Sequence, residues 1–147
     1  MVEKLLAEIK TAMKAKNTMR LLTLRTVMSE AKNIAITNKR KDITTDDLIT
    51  AVTKGIKQRQ ESYDEYINHG HPERANVERY EMDVLKEFQP KQLSEDELVK
   101  IVDEMILTYG ASSKKDMGKV MSGIMGKIDK GSADGKLLSK IVGNKLS

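Results

Sequence analysis

Cysteine and tryptophan are absent from this 147-residue sequence, and phenylalanine occurs only once. Without cysteine the chain has no disulfide framework, no cysteine-ligated zinc site and no thiol nucleophile. Four tyrosines and one phenylalanine argue against a sheet platform that stacks nucleic-acid bases on aromatic rings. Only two prolines interrupt the chain, which leaves long stretches free to form helices.

Long apolar runs are also missing. No segment approaches the ~18 consecutive apolar residues of a membrane span, so no membrane association is predicted. The N-terminus lacks a basic segment followed by an apolar block, so no signal peptide is predicted and we expect a cytoplasmic protein. Hydrophobic residues at 39% and charged residues at 33% are typical of a globular, highly soluble chain.

The small net charge of +4 conceals three blocks of alternating sign. Residues 1–60 hold 13 basic and 6 acidic residues, residues 61–104 hold 5 and 13, and residues 105–147 hold 8 and 3. Basic ends favour an anionic partner. Solvated, lysine-rich faces of an ordinary helical protein explain the same pattern, so charge alone leaves both interpretations open.

Apolar residues recur at helical spacing along most of the chain, and no segment alternates with the period of a strand. The sequence therefore predicts an all-α protein. About four long helices are expected in an N-terminal region of residues 1–88, followed by a small three-helix domain in residues 89–147. The boundary is set at a linker, because Pro90 disfavours helix at Gln89.

Capping signals support these helix limits. Thr44 with Asp47 and Ser94 with Glu97 have the spacing of capping boxes, which mark helix starts. The turn His69–Pro72 ends one helix and begins the next, because glycine suits a helix end and proline suits a first helical position.

Two apolar stripes are most simply explained as parts of the internal core. The first has the narrow spacing of a coiled-coil seam and comprises Leu21, Leu24, Met28, Ala31 and Ala35. The second lies near the C-terminus and comprises Met117, Val120, Met121, Ile124, Met125 and Ile128. The alternative is that the stripes dock a partner helix, which would make the protein an interaction adaptor.

Catalytic and cofactor motifs are not evident. His69 and His71 lie in a turn without a neighbouring carboxylate cluster, so they indicate exposed histidines rather than a metal site. The run Ser112–Lys114 lacks a second activating group for a serine hydrolase. Phosphate-binding glycine motifs are missing. We expect a non-catalytic chain with no cofactor and no metal.

The most informative segment is the helix that follows Gly110. Its outer side, opposite the apolar stripe, carries Lys115, Lys119, Ser122, Gly123 and Gly126. Each interior glycine costs a helix about 0.5–1 kcal/mol relative to alanine, so a closely approaching backbone is a reason to keep it. The approaching backbone belongs either to another helix or to a nucleic acid. The lysines favour the nucleic acid, because its sugar-phosphate backbone is anionic.

The start of the same helix is a candidate phosphate site. Backbone N–H groups at Ser112 and Ser113 lie beside Lys114 at the positive end of the helix dipole. The segment Gly131–Lys136 offers a related helix start, where Asp134 either caps the helix or weakens its affinity for anions. Ordinary caps and glycine turns explain both segments equally well.

At these residues the sequence resembles the YqeY family. The resemblance is carried by Leu24-Arg25, the run Lys57–Ser62, the linker Pro90–Ser94, the run Gly110–Met121 and the run Ala133–Leu137. It covers essentially the whole chain. One departure is Gln89, where the family usually has leucine, and this affects only the packing of the linker.

The family is similar to the tail of GatB, a subunit of the glutamine-dependent amidotransferase that converts misacylated Glu-tRNA or Asp-tRNA. The resemblance implies an all-helical N-terminal region and a small helical domain that holds the tRNA body away from the chemistry. Related domains are also appended to glutaminyl-tRNA synthetases. A standalone chain can carry the name of a carbon–nitrogen ligase with glutamine as amide donor without having that activity.

The leading hypothesis is therefore a non-catalytic tRNA-binding module that acts in translation. An adaptor, or an accessory component of an amidotransferase or aminoacyl-tRNA synthetase complex, is the alternative. Lysines would contact phosphates, and glycines would permit close approach. The predicted nucleic-acid-binding residues are Ser112, Ser113, Lys114, Lys115, Lys119, Gly123, Gly126, Lys127, Lys136 and Lys140.

Overall fold

A computed structural model describes residues 1–146, and across them it contains seven α-helices, one 3₁₀ turn and no strand. The predicted all-α fold class is confirmed. The chain forms two compact units, Met1–Gln89 and Pro90–Ser147, and each is described by itself. Among the described residues, no helix is both long enough and apolar enough to cross a membrane.

The helices follow the predicted order. The first unit contains α1 (Val2–Lys14), α2 (Thr18–Thr37), α3 (Thr45–Asn68) and α4 (Pro72–Lys86). The second unit contains α5 (Glu95–Tyr109), the 3₁₀ turn (Lys114–Asp116), α6 (Met117–Lys127) and α7 (Gly135–Lys145).

The capping boxes form as the sequence predicts. The Thr44 amide donates to the Asp47 carboxylate at 2.9 Å, and the Asp47 amide donates to the Thr44 hydroxyl at 3.2 Å. Ser94 and Glu97 exchange the same pair of bonds at the start of α5. Each box satisfies amide groups that the first turn of a helix leaves without an intrahelical acceptor.

Four helices pack around the core of the first unit. The α2 seam lies inside it, since Leu24, Met28, Ala31 and Ala35 are all buried. Leu21 is half-buried against the same cluster. The seam is therefore mostly covered by the chain's own helices, which confirms that it is part of the internal core, and the seam as a whole does not present a face to a partner helix.

Phe88 is the largest side chain of this core. It follows the end of α4, yet only 2% of it is exposed. The ammonium of Lys4 lies 5.0 Å from the ring centroid, and the same ammonium donates to the Glu87 carbonyl at 3.1 Å. The ring thus joins the end of α4 to α1.

Arg20 joins three parts of the first unit. Its guanidinium donates to Glu87 at 2.6 Å and to Glu8 at 2.9 Å. The hydrogen bond to Glu87, followed by that to Glu8, raises the pKa of Arg20 against the opposing effect of desolvation. Because 19% of the Arg20 side chain is exposed, this link between α1, α2 and the end of α4 is partly shielded from water.

Arg40 fixes the turn between α2 and α3. Its guanidinium forms two bonds of 2.6 Å to the carboxylate of Asp47, of which only 4% is exposed. The Arg40 bonds, followed by the Thr44 amide, hold the pKa of Asp47 well below its ordinary value. The same carboxylate therefore caps α3 and anchors the basic turn that precedes it.

Acid should weaken the first unit through Asp47. A depressed folded-state pKa gives stability that is present above the unfolded pKa of about 4 and is lost as the pH falls through the folded value. We expect thermal melts followed by circular dichroism to show a falling melting temperature below about pH 4, with a smaller fall for Asp47→Asn. Asp46→Asn is the control, because Asp46 has no hydrogen bond to Arg40. Parallel pH curves for the wild type and Asp47→Asn would contradict this assignment.

The second unit packs α5, α6 and α7 around a smaller core. Its buried residues are Leu98, Val102, Val120, Ile124, Leu138, Ile141, Val142 and Leu146. The sequence predicted that the whole apolar stripe of α6 is part of the internal core. Met125 does not follow this prediction, because it is 56% exposed. Tyr109 on α5 is likewise 45% exposed. With only two neighbouring helices, α6 can bury only a narrow sector of its surface.

The segment after Pro90 is tied to the turn between α6 and α7. The Leu93 amide donates to the Ser132 carbonyl at 2.8 Å. The Gln92 amide side chain donates to the Gly131 carbonyl at 2.7 Å. These bonds fix the direction in which the chain enters α5.

Candidate nucleic-acid interface

Exposed lysines surround the start of α6. Lys114 and Lys115 lie on the 3₁₀ turn, and Lys119 lies on the first turn of α6. Within residues 90–146 the ion pairs are Lys127 with Glu104 and Lys145 with Asp103. The three lysines at the start of α6 form no ion pair among these residues, although the charge of Lys119 is near enough to Asp116 to contribute to the lowering of its pKa.

Two further predicted lysines lie on α7. Lys136 and Lys140 are exposed and are one helical turn apart, with no carboxylate at salt-bridge distance among the described residues. Lys127 differs because its ammonium lies 2.7 Å from Glu104. Since both partners are about half exposed, this pair is worth at most about 1 kcal/mol and can exchange for a phosphate.

The predicted phosphate cradle is occupied by the chain itself. The amides of Ser112 and Ser113 donate to one oxygen of Asp116, at 3.0 Å and 3.4 Å. These bonds, that of Ser112 first, lower the pKa of Asp116, so the carboxylate is ionised at neutral pH. A phosphate would have to displace an anion that is already in place, which leaves the lysine ammonium groups as the better contacts.

The start of α7 is capped in the same manner. The Asp134 side chain accepts a hydrogen bond of 3.0 Å from the Lys136 amide. Of the two roles that the sequence left open for Asp134, the structure therefore shows the cap. Lys136 itself is exposed, and the bond involves its backbone amide rather than its ammonium.

Gly123 does not lie on an open surface. Helical spacing predicts an outer position, but a Cβ built there would lie 2.5 Å from the ring of Tyr109 and 3.1 Å from the sulfur of Met105. The close neighbour is thus α5 of the same unit. The expected role of Gly123 in admitting a ligand backbone is corrected to a role in packing α5 against α6.

Gly126 does lie on an open surface. A Cβ at Gly126 or at Gly118 would meet no neighbouring atom of residues 1–146 within 4 Å. The sequence predicts no role for Gly118, which lies in the first turn of α6. Five exposed residues form what we call the outer face of α6, namely Lys115, Gly118, Lys119, Ser122 and Gly126.

Gly126→Ala separates helix stability from binding. Because an added Cβ at this position would meet no other part of the described residues 1–146 within 4 Å, alanine should stabilise the second unit by about 0.5–1 kcal/mol. The added methyl group should at the same time weaken the binding of any ligand whose backbone approaches the outer face. Urea unfolding and tRNA titration of the same variant check the two effects. A variant that is more stable and binds equally well would show that no ligand reaches Gly126.

Other candidate chemistry is sparse. His69 and His71 are both exposed, and the ring Nδ1 of His69 lies 2.8 Å from the Glu65 carbonyl. Within residues 1–146, no group of three or more histidine and acidic side chains is arranged to hold a metal ion.

Comparison with known proteins identifies the family. The model described as "Yqey-like protein" matches residues 2–146. The chain belongs to the YqeY family. Two curated relatives carry the name "Altered inheritance of mitochondria protein 41, mitochondrial". The relative from Pyrenophora tritici-repentis is 32% identical over 148 residues, which cover 97% of this chain and 81% of the relative. The relative from Saccharomyces cerevisiae strain YJM789 is 29% identical over 128 residues, which cover 84% of this chain and 69% of the relative.

These names correct one expectation about this YqeY protein. Both relatives are named as mitochondrial proteins, which contradicts the expected cytoplasmic location. That expectation depended on the absence of a secretory signal, and import into mitochondria uses a different kind of address.

Proposed function

We propose that this YqeY protein is a non-catalytic module that binds tRNA through the outer face of α6. The observation that supports this most directly is the open surface at Gly118 and Gly126. These glycines weaken the helix, and within residues 1–146 no neighbouring group comes close enough to require a glycine at either position. A ligand backbone that comes close to α6 would explain why both positions are glycine.

The surrounding charge favours a polyanion as that ligand. Lys115 and Lys119 lie on the same outer face as the two glycines, and neither has a carboxylate at salt-bridge distance among residues 90–146. Lysine ammonium groups bind phosphates as point charges and carry no information about base sequence. With Tyr109 the only aromatic residue of the second unit, base stacking is not a main source of affinity. Recognition would then depend on the shape of a folded RNA.

The resemblance to the GatB tail supports tRNA as the polyanion. In that complex the similar domain holds the tRNA body, and other parts carry out the amide transfer. By analogy, this protein would present tRNA to an amidotransferase or an aminoacyl-tRNA synthetase and would not itself transfer an amide.

Salt titration of tRNA binding tests the proposal. Fluorescence anisotropy with labelled tRNA should give a linear fall of log K with log salt, with a slope near −0.7 to −0.9 per phosphate contacted and roughly 3–6 contacts. Duplex DNA should compete poorly. Equal binding of both polyanions would mean only a basic surface, and no binding at low salt would refute the proposal.

A further inference from the structure

The first unit has an apolar groove that its own helices leave open. The groove has a volume of about 420 Å³ and is lined by residues of α1, α2 and the turn before α3. Leu6 on α1 is 48% exposed, and Ile36 on α2 is 69% exposed. Met28 and Ile43 also line it. Large apolar side chains on both sides of a concavity are typical of grooves that receive a partner's side chains.

The charge around the groove has one dominant sign. Lys32 and Lys41 line it, with Asp42 as the one acidic lining residue. Residues 1–41, which include α1 and α2, hold ten basic and three acidic residues. Two of those three acids are already paired, Glu8 with Arg20 and Glu30 with Lys54. A partner with acidic residues beside its apolar ones therefore fits this surface.

We propose that the groove between α1 and α2 binds an acidic amphipathic helix of a partner protein. Apolar side chains one helical turn apart would enter between Leu6 and Ile36. Glutamate or aspartate residues on the flanks of the helix would face Lys32 and Lys41. Such a helix matches both the shape and the charge of the groove.

Other occupants match less well. A bilayer surface requires apolar side chains that project outward, whereas these line a concavity. RNA has no apolar side chain to place between Leu6 and Ile36. A second copy could offer the acidic end of the α3–α4 pair, where Ile67 and Val77 are exposed. Val77 lies between Arg74 and Arg79 in the sequence, however, and the charges of these arginines repel those of Lys32 and Lys41.

Binding of designed helices to the full-length protein tests the proposal. The probe is a pool of labelled helical peptides of roughly four turns, with leucine or isoleucine at i, i+3 or i+4, and i+7, and glutamate on the flanks. A matched pool carries lysine in place of glutamate. Anisotropy should show that the acidic pool binds. The affinity of the basic pool should be lower by roughly tenfold or more. Equal binding of the two pools, or no binding of the acidic pool, overturns the proposal.

Point variants locate the binding surface. Ile36→Glu should lower the affinity for the acidic pool by roughly tenfold or more, because it places in the apolar groove a negative charge that repels the glutamates of the peptide. Val77→Glu on α4 is the matched control and should bind normally, since Val77 is also exposed but lies outside the groove. Both sites are exposed, so neither change disturbs the core. Normal binding by Ile36→Glu overturns the proposal.

Two further measurements exclude the other occupants. Co-sedimentation with vesicles of phosphatidylglycerol and phosphatidylcholine should show no binding that depends on Ile36. Analytical ultracentrifugation should show no self-association that Ile36→Glu abolishes. Vesicle binding that depends on Ile36 would assign the groove to lipid. Self-association that Ile36→Glu abolishes would assign it to a second copy. Either outcome overturns the proposal. Loss of tRNA binding in a Lys115/Lys119 variant leaves peptide binding unchanged, so the two proposals fail independently.

Discussion

Replacing both Lys115 and Lys119 by glutamate should weaken tRNA binding by roughly ten- to a hundredfold at physiological salt. Each change removes one phosphate contact and adds a charge that repels the next phosphate. The two residues are exposed, so the fold and its circular dichroism should be unchanged. The slope of log K against log salt should become shallower by about 1.4–1.8, the share of two phosphate contacts.

A second double variant controls for net charge. Lys91→Glu with Lys100→Glu makes the same change in charge on the same unit, but these lysines lie before and on α5 rather than on the outer face of α6. Its tRNA affinity should fall only slightly, through the general field of the protein. If both double variants lose the same affinity, the outer face of α6 has no special role and only total charge matters.

Phe88→Ala should destabilise the first unit by about 3–5 kcal/mol. The ring is 2% exposed and is the largest buried side chain of that core, and the bond of Lys4 to the Glu87 carbonyl holds the same region together. The alanine leaves a cavity between α1 and the end of α4 that the surrounding helices fill only partly. A loss of this size is a large fraction of the 5–15 kcal/mol that stabilises a typical domain.

Hydrogen exchange read by mass spectrometry measures this effect unit by unit. In Phe88→Ala, peptides from residues 1–89 should exchange much faster, while peptides from residues 90–147 should be unchanged. Val77→Ala on the exposed side of α4 is the control and should change stability by less than about 0.5 kcal/mol. Uniform acceleration in both parts of the chain would show that they unfold as one cooperative body.

Local signals in the sequence were sufficient for the helices. The Thr44/Asp47 and Ser94/Glu97 boxes and the glycine at position 110 are interactions between near neighbours, so their spacing alone predicts them. Helix ends were less evident, since α4 ends at Lys86, before the apolar Phe88, and α1 ends at Lys14, before Lys16. Lys16 there adopts a left-handed φ of 56°, a conformation that nothing in its residue type requires.

The sequence predicted only some features of the candidate interface. The lysines were evident from the sequence, because exposure of a lysine on a helix follows from the position of the apolar stripe. The occupied amides of Ser112 and Ser113 were less evident, since the same Ser-x-x-Asp pattern suits either a cap or an anion site. The structure shows Asp116 as the acceptor of both.

Helix periodicity and short-range caps, then, determined the all-α fold and the order of its helices, because both depend on residues within a few positions of one another. The tertiary structure alone decided which glycine faces a neighbour and which faces solvent. A Cβ added at Gly123 would meet Tyr109, and one added at Gly126 would meet no neighbour within the described part of the chain, although both glycines lie on the polar side of one helix. That difference depends on where α5 crosses α6, and a crossing point is a property of two packed surfaces rather than of either sequence segment.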